Sequence, residues 1–424
     1  MPIKYLSKFP AVKLKEKTVL LRVDLNIKSD NIADAYRLEA IIPTLQFLKR
    51  AKAQIIVLSH RGRPGGSDPS LSLKPFASIL SKKLKTKVVF RGSTSKWRSN
   101  LKSGEVILLE NLRFDPREEA NDKAFAKELA SFGNIYVNDA FAVSHRANAS
   151  VEAITRFLPS YAGLLLEQEI KHLDKTMKKY KKPLVLIVGG AKVEDKAGIL
   201  KYFLQKADYI LLGGGVANTF IRARGRDIKK SLFDDKTDIT DLVNRKNIFI
   251  PEDDVWKNEM IVDIGPKTQA RYAEIIAKAK TIVWGGPMGR FEERGLEEGT
   301  RAIWQAILKN KKTFAVVGGG ETVGSISLIH NSRSVMRSKN IFISTGGGAM
   351  LEYLSGQKLP GIEALKKIER DSKHRVPRHE ALLSSSSISQ RRSAHATRRG
   401  ETISIPTLPN NQLTLRSQLD IRRT

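Results

Sequence analysis

The stretch PLVLIVGG (183–190) is apolar at every position between its proline and its paired glycines. A strand with one wet face alternates polar and apolar residues. A run without alternation suits a strand covered on both sides, as in a parallel sheet flanked by helices. It leads into AKVEDK (191–196), whose Lys192 and Lys196 are four apart and so share one helical face. The order of apolar run and glycine turn recurs in DYILLGGG (208–215), TIVWGG (281–286), TFAVVGGG (313–320) and NIFISTGGG (340–348), with NIFIPE (247–252) a further run.

Outward from this segment, the N-terminal half carries comparable runs at KTVLLRVDLN (17–26), AQIIVLSH (53–60), EVILLEN (105–111) and NIYVNDA (134–140). Apolar runs alternating with helical patterns predict an α/β fold of doubly wound parallel sheets. Between the halves, YAGLLLEQEIKHLDKTMKKYKK (161–182) places Leu166, Ile170, Leu173 and Met177 on one helical face. It reads as a helix joining two lobes, or alternatively as a crossover helix within one large domain. The expected organisation is a first lobe over 1–160, a joining helix over 161–182, a second lobe over 183–365 that returns to the hinge, and a tail over 366–424. That tail is basic, rich in Ser, Arg and Pro, and without sustained periodicity, so it is expected to be disordered. No fixed-period repeat is visible.

Composition narrows the function classes. The 424 residues include no cysteine, which excludes disulfides, thiolate nucleophiles and thiolate metal sites. No apolar run is long enough to span a bilayer, and the N-terminal stretch lacks an apolar signal region, so a cytoplasmic location is expected. The net charge of +30 suggests anionic partners such as phosphorylated metabolites, nucleic acid or anionic membranes; solvated surface charge is the plain alternative.

Ligands of open parallel sheets bind beyond the carboxyl ends of the strands. In the first half those ends deliver Asp24 and Asn26; His60, Gly62 and Arg63; Arg113; and His145 and Arg146, with Arg37 on the helical stretch after the first strand. Guanidinium forks bind phosphate and carboxylate bidentately, so the set predicts a small, multiply anionic ligand. Asp24 and Asn26 suit a hydroxyl. His60 and His145 are equally readable as structural histidines.

In the second half the ends carry glycine: Gly189-Gly190, Gly213-Gly214-Gly215, Gly318-Gly319-Gly320 and Gly346-Gly347-Gly348. Glycine permits close approach of backbone to phosphates and flat bases, and it also serves tight turns. Neither a P-loop signature nor a clean dinucleotide fingerprint is present. Lys196 is expected to meet phosphate, and Glu321 and Thr322 in GGGET stand where a Mg²⁺-phosphate could be met.

These motifs, taken in order, resemble the phosphoglycerate kinase family: RVDLN, LSHRGRP, LLENLRF, VNDAF with SHRANAS, GGAKVEDK, the GGG-x-ANTF segment, GPMG-x-FE, VGGGET and STGGGA, over roughly residues 5–365. The resemblance implies two Rossmann-like lobes on a hinge, acting as a monomer. It implies a reversible, in-line phosphoryl transfer between 1,3-bisphosphoglycerate with ADP and 3-phosphoglycerate with ATP, without a phosphoenzyme, in glycolysis and gluconeogenesis. By that likeness Asp24, Asn26, Arg37, His60, Arg63, Arg113 and Arg146 receive 3-phosphoglycerate. Lys192, Lys196, Gly213, Gly214, Glu292, Gly319, Gly320, Glu321 and Thr322 surround Mg-nucleotide, with Glu321 at the Mg²⁺, Glu292 at the ribose, and Arg37 and Lys192 at the transferring group. The chain departs from the family at Gly285, usually Asn; Glu321, usually Asp; Ala142, usually Gly; and Asn148, usually His; the stretch between Pro251 and Ile264 is also shorter.

The acceptor in such a reaction is a carboxylate, already ionised at neutral pH, so no general base is required. Catalysis then amounts to positioning and charge neutralisation, with contacts to the transferring group worth about 3–4 kcal/mol each. A nicotinamide-dependent dehydrogenase is a rival enzyme reading. The alternative raised by the departures and the charge is a catalytically weakened relative with nonspecific nucleic-acid binding through its basic surface. No specific nucleic-acid motif and no membrane partner are expected.

Overall fold

The computed structural model describes residues 2–27, 32–92, 103–330, 332–336 and 338–366. The basic segment from 367 onward, where a disordered tail is expected, lies outside them. Six strands form the first sheet: β1 Thr18–Arg22, β2 Gln54–Leu58, β3 Val88–Arg91, β4 Val106–Leu109, β5 Ile135–Asn138 and β6 Ser160–Ala162. They lie in the order β3-β4-β2-β1-β5-β6, all parallel.

The second sheet takes β7 Leu184–Val188, β8 Tyr209–Leu212 and β9 Ile248–Phe249. A separate antiparallel pair follows, β10 Asp254–Lys257 and β11 Met260–Ile264. Strands β12 Thr281–Gly285, β13 Phe314–Gly318 and β14 Ile341–Ile343 complete the sheet in the parallel order β14-β13-β12-β7-β8-β9. Strand order reverses between β7 and β12, the doubly wound Rossmann arrangement, and in the first sheet between β1 and β5. Crevices at such reversals are where ligands bind.

The unbroken apolar runs are explained by cover on both faces. Leu184, Leu186 and Val188 join the core of one face of the second sheet, with Val216, Phe220 and Leu354; Val185 and Ile187 join the other, with Trp284, Trp304 and Ile303. The first sheet is clothed likewise by two clusters, one around Leu21, Val57 and Leu45 and one around Leu20, Ile56 and Phe125. Each fully buried Leu, Ile or Val stabilises the fold by about 1.5–3 kcal/mol.

The joining helix runs Leu164–Lys178, shorter at both ends than its sequence pattern, and buries Leu166, Ile170 and Leu173. Its start is fixed from outside: Asp139, just past β5, accepts the N–H groups of Leu165 and Leu166 at 2.9 and 3.1 Å. That carboxylate does the work of an N-cap, because Gly163 has no side chain to supply one. Tyr161 and Ala162, expected within the helical stretch 161–182, instead belong with Ser160 to β6 beside β5. Strands β3 and β6 and the β10–β11 pair were not expected: each is a short edge element without a sustained apolar run. The final helix, Pro360–Lys366, returns to the turn after β5, where the Gly361 N–H donates to the Ser144 carbonyl at 2.9 Å. Among the described residues no helix is long and apolar enough to cross a membrane.

Candidate active site at two strand edges

The carboxyl edge of the first sheet gathers most of the expected cations. Asp24 is buried, and its Oδ1 accepts the Asn26 N–H at 2.8 Å; Asn26 Oδ1 in turn accepts the Gly62 N–H at 2.8 Å. These contacts join the turns after β1 and β2. Arg113 is buried in the turn after β4, donating to the Gly62 carbonyl at 2.7 Å and pairing with Glu119 at 3.2 Å. Arg146 is half-buried and donates through Nε to His145 Nε2 at 3.3 Å. Arg63 is exposed, near enough for its charge to act on His145.

His60 sits among these groups, 1% exposed. Burial holds its imidazole well below the ordinary histidine value, and the charges of Arg22, Arg113, Arg146 and Arg37 push it the same way. The buried imidazole thus lies in the field of four guanidinium groups, surroundings that would favour an anion. Arg22 did not stand out as a site residue, although a charged residue inside the apolar run TVLLR was a usable signal. Glu118 and Ser150, which hold Arg22, carry no such sign.

At the second sheet the glycines first of all let turns pack against one another. A Cβ on Gly213 would lie 2.7 Å from Met288 Sδ, and one on Gly347 would lie 2.8 Å from Gly319 Cα. The N–H groups of Gly213 and Gly214 already donate to Val188 and Met288 carbonyls, so these residues offer a ligand their bare Cα edges rather than free donors. Thr322 is fully buried, and its Oγ1 accepts the Gly286 N–H at 2.7 Å, joining the turns after β12 and β13. Gly319, which precedes it, takes φ +105°, a conformation that a side chain would strain.

Lys192 is exposed in the turn after β7, and Lys196 lies on the helix Glu194–Phe203 that follows. Burial lowers the Lys196 ammonium below its usual range, while Asp195 and Glu321 hold it up. Glu321 also acts electrostatically on Glu292, an exposed residue after β12. Lys196, Glu292 and Glu321 are thus brought together from three segments of the chain. Glu321 is exposed, and among the described residues there is no cluster of three or more acidic, His or Cys side chains around it. One accessible carboxylate beside a lysine fits Mg²⁺ carried on nucleotide phosphates, which is how this ion usually binds.

The two edges meet. A Cβ on Gly320 would lie 3.7 Å from Arg37 Nη2, so the first-lobe guanidinium reaches the glycine turn after β13. Phe141, after β5, packs on Gly346, after β14, where an added Cβ would come within 2.6 Å of its ring. Arg37 is steadied by Asp34 at 3.3 Å.

Comparison with known proteins agrees with this layout. The family model described as phosphoglycerate kinase matches residues 9–357. The phosphoglycerate kinase of Wolbachia pipientis wMel is 40% identical over 389 residues, covering 84% of this chain and 97% of its own. That of Dictyoglomus turgidum is 40% identical over 386 residues, covering 83% and 96%. Among solved structures, phosphoglycerate kinase from Coxiella burnetii aligns with a TM-score of 0.73 at 35% identity, covering 86% of this chain and 99% of its own. The enzyme from Pyrococcus horikoshii aligns with a TM-score of 0.75 at 33% identity, covering 86% and 98%.

Proposed function

The chain belongs to the phosphoglycerate kinase family, a phosphotransferase with a carboxyl acceptor, and on that premise we propose how its own residues run the reaction. The acceptor, 3-phosphoglycerate, binds the first-lobe edge, its phosphate and carboxylate received by Arg63, Arg113 and Arg146 and by His60, its hydroxyl by Asp24 and Asn26. ATP or ADP binds the second-lobe edge against Gly213, Gly214, Gly319 and Gly320, with Glu292 toward the ribose and Lys196 and Thr322 framing the phosphates. Mg²⁺ on those phosphates, with Glu321 as its protein carboxylate, neutralises charge when bound.

The observation that carries this reading is the Arg37 guanidinium lying against Gly320. A first-lobe cation beside the second-lobe turn supports a role for Arg37 between the two proposed ligand sets. A phosphoryl group passing directly from nucleotide to carboxylate would cross that gap, and a positive charge there stabilises it most when its own charge is spread over three oxygens. Lys192, exposed in the turn after β7, is assigned the same task. The joining helix is the hinge for closing the gap and shedding water. The lobes are taken as 1–160 and 183–365, the enzyme as a cytoplasmic monomer serving glycolysis and gluconeogenesis.

The test is Mg²⁺- and ATP-dependent phosphorylation of 3-phosphoglycerate, coupled to a dehydrogenase that consumes the acyl phosphate, in the native chain and in Arg37→Ala and Lys192→Ala. The expected result is activity that drops by about 10²–10³ in kcat in each variant with both KM values little changed. Native-like turnover in Arg37→Ala would remove the observation on which the reading stands.

A further inference from the structure

Behind His60 the buried side chains form a closed set. Arg22 donates through Nε to Ser150 Oγ at 2.8 Å and through Nη1 to the Val23 carbonyl at 2.6 Å, while its Nη2 meets His60 Nδ1 at 3.3 Å. Glu118 Oε1 stands 3.8 Å from Arg22 Nη2 and accepts the Ser150 hydroxyl at 2.5 Å; Oε2 accepts the Ser150 N–H at 2.9 Å. Arg22, Glu118, Ser150 and His60 are each 1% exposed or less. Glu118 thus balances the charge of Arg22, and Ser150 spans the two, as a buried ion pair requires.

The contact with His60 has a chemical consequence. A guanidinium carries only donors and no acceptor, and it does not give up its proton in a protein. The nitrogen it meets must offer a lone pair, so Nδ1 is unprotonated and the single ring proton of a neutral His60 lies on Nε2. A second proton at Nδ1 would set N–H against N–H. It would also add a charge to a site already facing Arg22 from β1, Arg113 from the turn after β4, Arg146 from the turn after β5 and Arg37 from the helix Ile32–Ala40. Burial alone disfavours that second proton, and the four arginines add to it.

We propose that Arg22 is a positioning residue for the acceptor: it locks His60 as the neutral, Nε2-protonated tautomer, so that the imidazole serves the anion as a directional donor of constant charge. The division of labour follows. The positive charge that attracts the acceptor comes from arginines, whose charge does not change with pH, and the histidine contributes direction. An unrestrained histidine would change its charge near pH 6.5 and carry the affinity with it. The proposal rests on the acceptor-site reading above.

The measurement is side-chain ¹⁵N–¹H correlation spectroscopy of the full chain labelled at histidine nitrogen, with His60 assigned by its loss in His60→Gln, recorded from about pH 5 to pH 8. The expected pattern is that of a neutral Nε2-protonated ring, unchanged across the range. A pattern with the proton on Nδ1, or a titration within that range, would overturn the proposal without any variant of Arg22 having to fold. Arg22→Lys keeps a cation opposite Glu118 but cannot reach Val23, Ser150 and His60 together. Its His60 signal should become a tautomer mixture or begin to titrate, and the KM for 3-phosphoglycerate should rise about tenfold with the nucleotide KM unchanged. An unaltered tautomer and KM in Arg22→Lys would sink the role given to Arg22. If the native tautomer is as expected but 3-phosphoglycerate leaves the His60 signals unmoved, the Arg22 lock stands and the acceptor-site reading fails.

Discussion

The hydroxyl of Tyr36 donates to the main-chain carbonyl of Ile343 at 2.8 Å, tying the helix after β1 of one sheet to β14 of the other. The same helix carries Arg37 to Gly320, so the bond holds the proposed catalytic cation in register with the nucleotide edge. Tyr36→Phe keeps the ring but leaves the buried Ile343 carbonyl without this donor. The expected cost is about 1 kcal/mol in urea unfolding, together with a lower kcat. Full stability and kcat in the variant would show that the two lobes do not depend on this tie.

Buried acids hold the first two turns of the joining helix. Asp139 caps its start, and Glu169 Oε1 accepts the N–H and hydroxyl of Thr345 at 2.7 Å each. Burial raises each carboxyl to about 7. In the unfolded chain they titrate near about 3.9 and 4.3, so between about pH 4 and pH 7 the native state binds more protons than the unfolded one. Their contribution to stability is therefore complete below about pH 4 and is lost as pH rises through about 7. Asp139→Asn keeps the accepting oxygen and removes the proton. Its stability, followed by urea unfolding over that window, should fall less steeply than the native protein's, by up to about 1.4 kcal/mol per pH unit. Parallel profiles would refute the raised value.

Gly285 ends β12, at a position where the family resemblance implies asparagine. A Cβ there would stand 3.2 Å from Leu351 Cδ2, so the leucine would have to give way to a side chain. Gly285→Asn alone should cost about 1–3 kcal/mol by overpacking. In a Leu351→Ala background that penalty should shrink and the nucleotide KM should fall, as an amide returns beside the phosphates. A nucleotide KM that does not respond in the double variant would place position 285 away from them.

Glu321 is the one carboxylate assigned to Mg²⁺. Glu321→Gln should raise the Mg²⁺ concentration needed for half-maximal activity at fixed ATP by about tenfold or more, and Glu321→Asp should restore it. An unchanged Mg²⁺ requirement in Glu321→Gln would leave the metal to the nucleotide alone.

Most of the fold was legible because a strand covered on both faces is apolar along most of its length, as in the VLL, IIVL, LVLIV and FAVV cores of β1, β2, β7 and β13. Strands β3 and β6 were not, because VVFR is mostly half-buried and SYA is three residues long with a polar start, so neither leaves a sustained apolar run. Among the candidate site residues, the strand-end positions of His60, Arg113, Asp24 and Asn26 were legible from the sequence. The roles of Gly213, Gly214 and Thr322 were not: their contacts to Met288, Val188 and Gly286 depend on which turns lie side by side, which strand order decides.

Arg22, Ser150, Glu118, Asp139 and Glu169 mark the boundary. Arg22 and Ser150 stand 128 residues apart and Glu169 and Thr345 stand 176 apart, and no spacing rule connects them. By itself the sequence determined the two parallel α/β halves, the cationic edge and the glycine edge, because helical and strand periodicity and turn chemistry act over a few residues. Only the tertiary structure decided which charges are buried together, which tautomer His60 adopts, and that Arg37 of one half reaches Gly320 of the other, because burial and electrostatics depend on distances that exist only once the sheets have formed and packed.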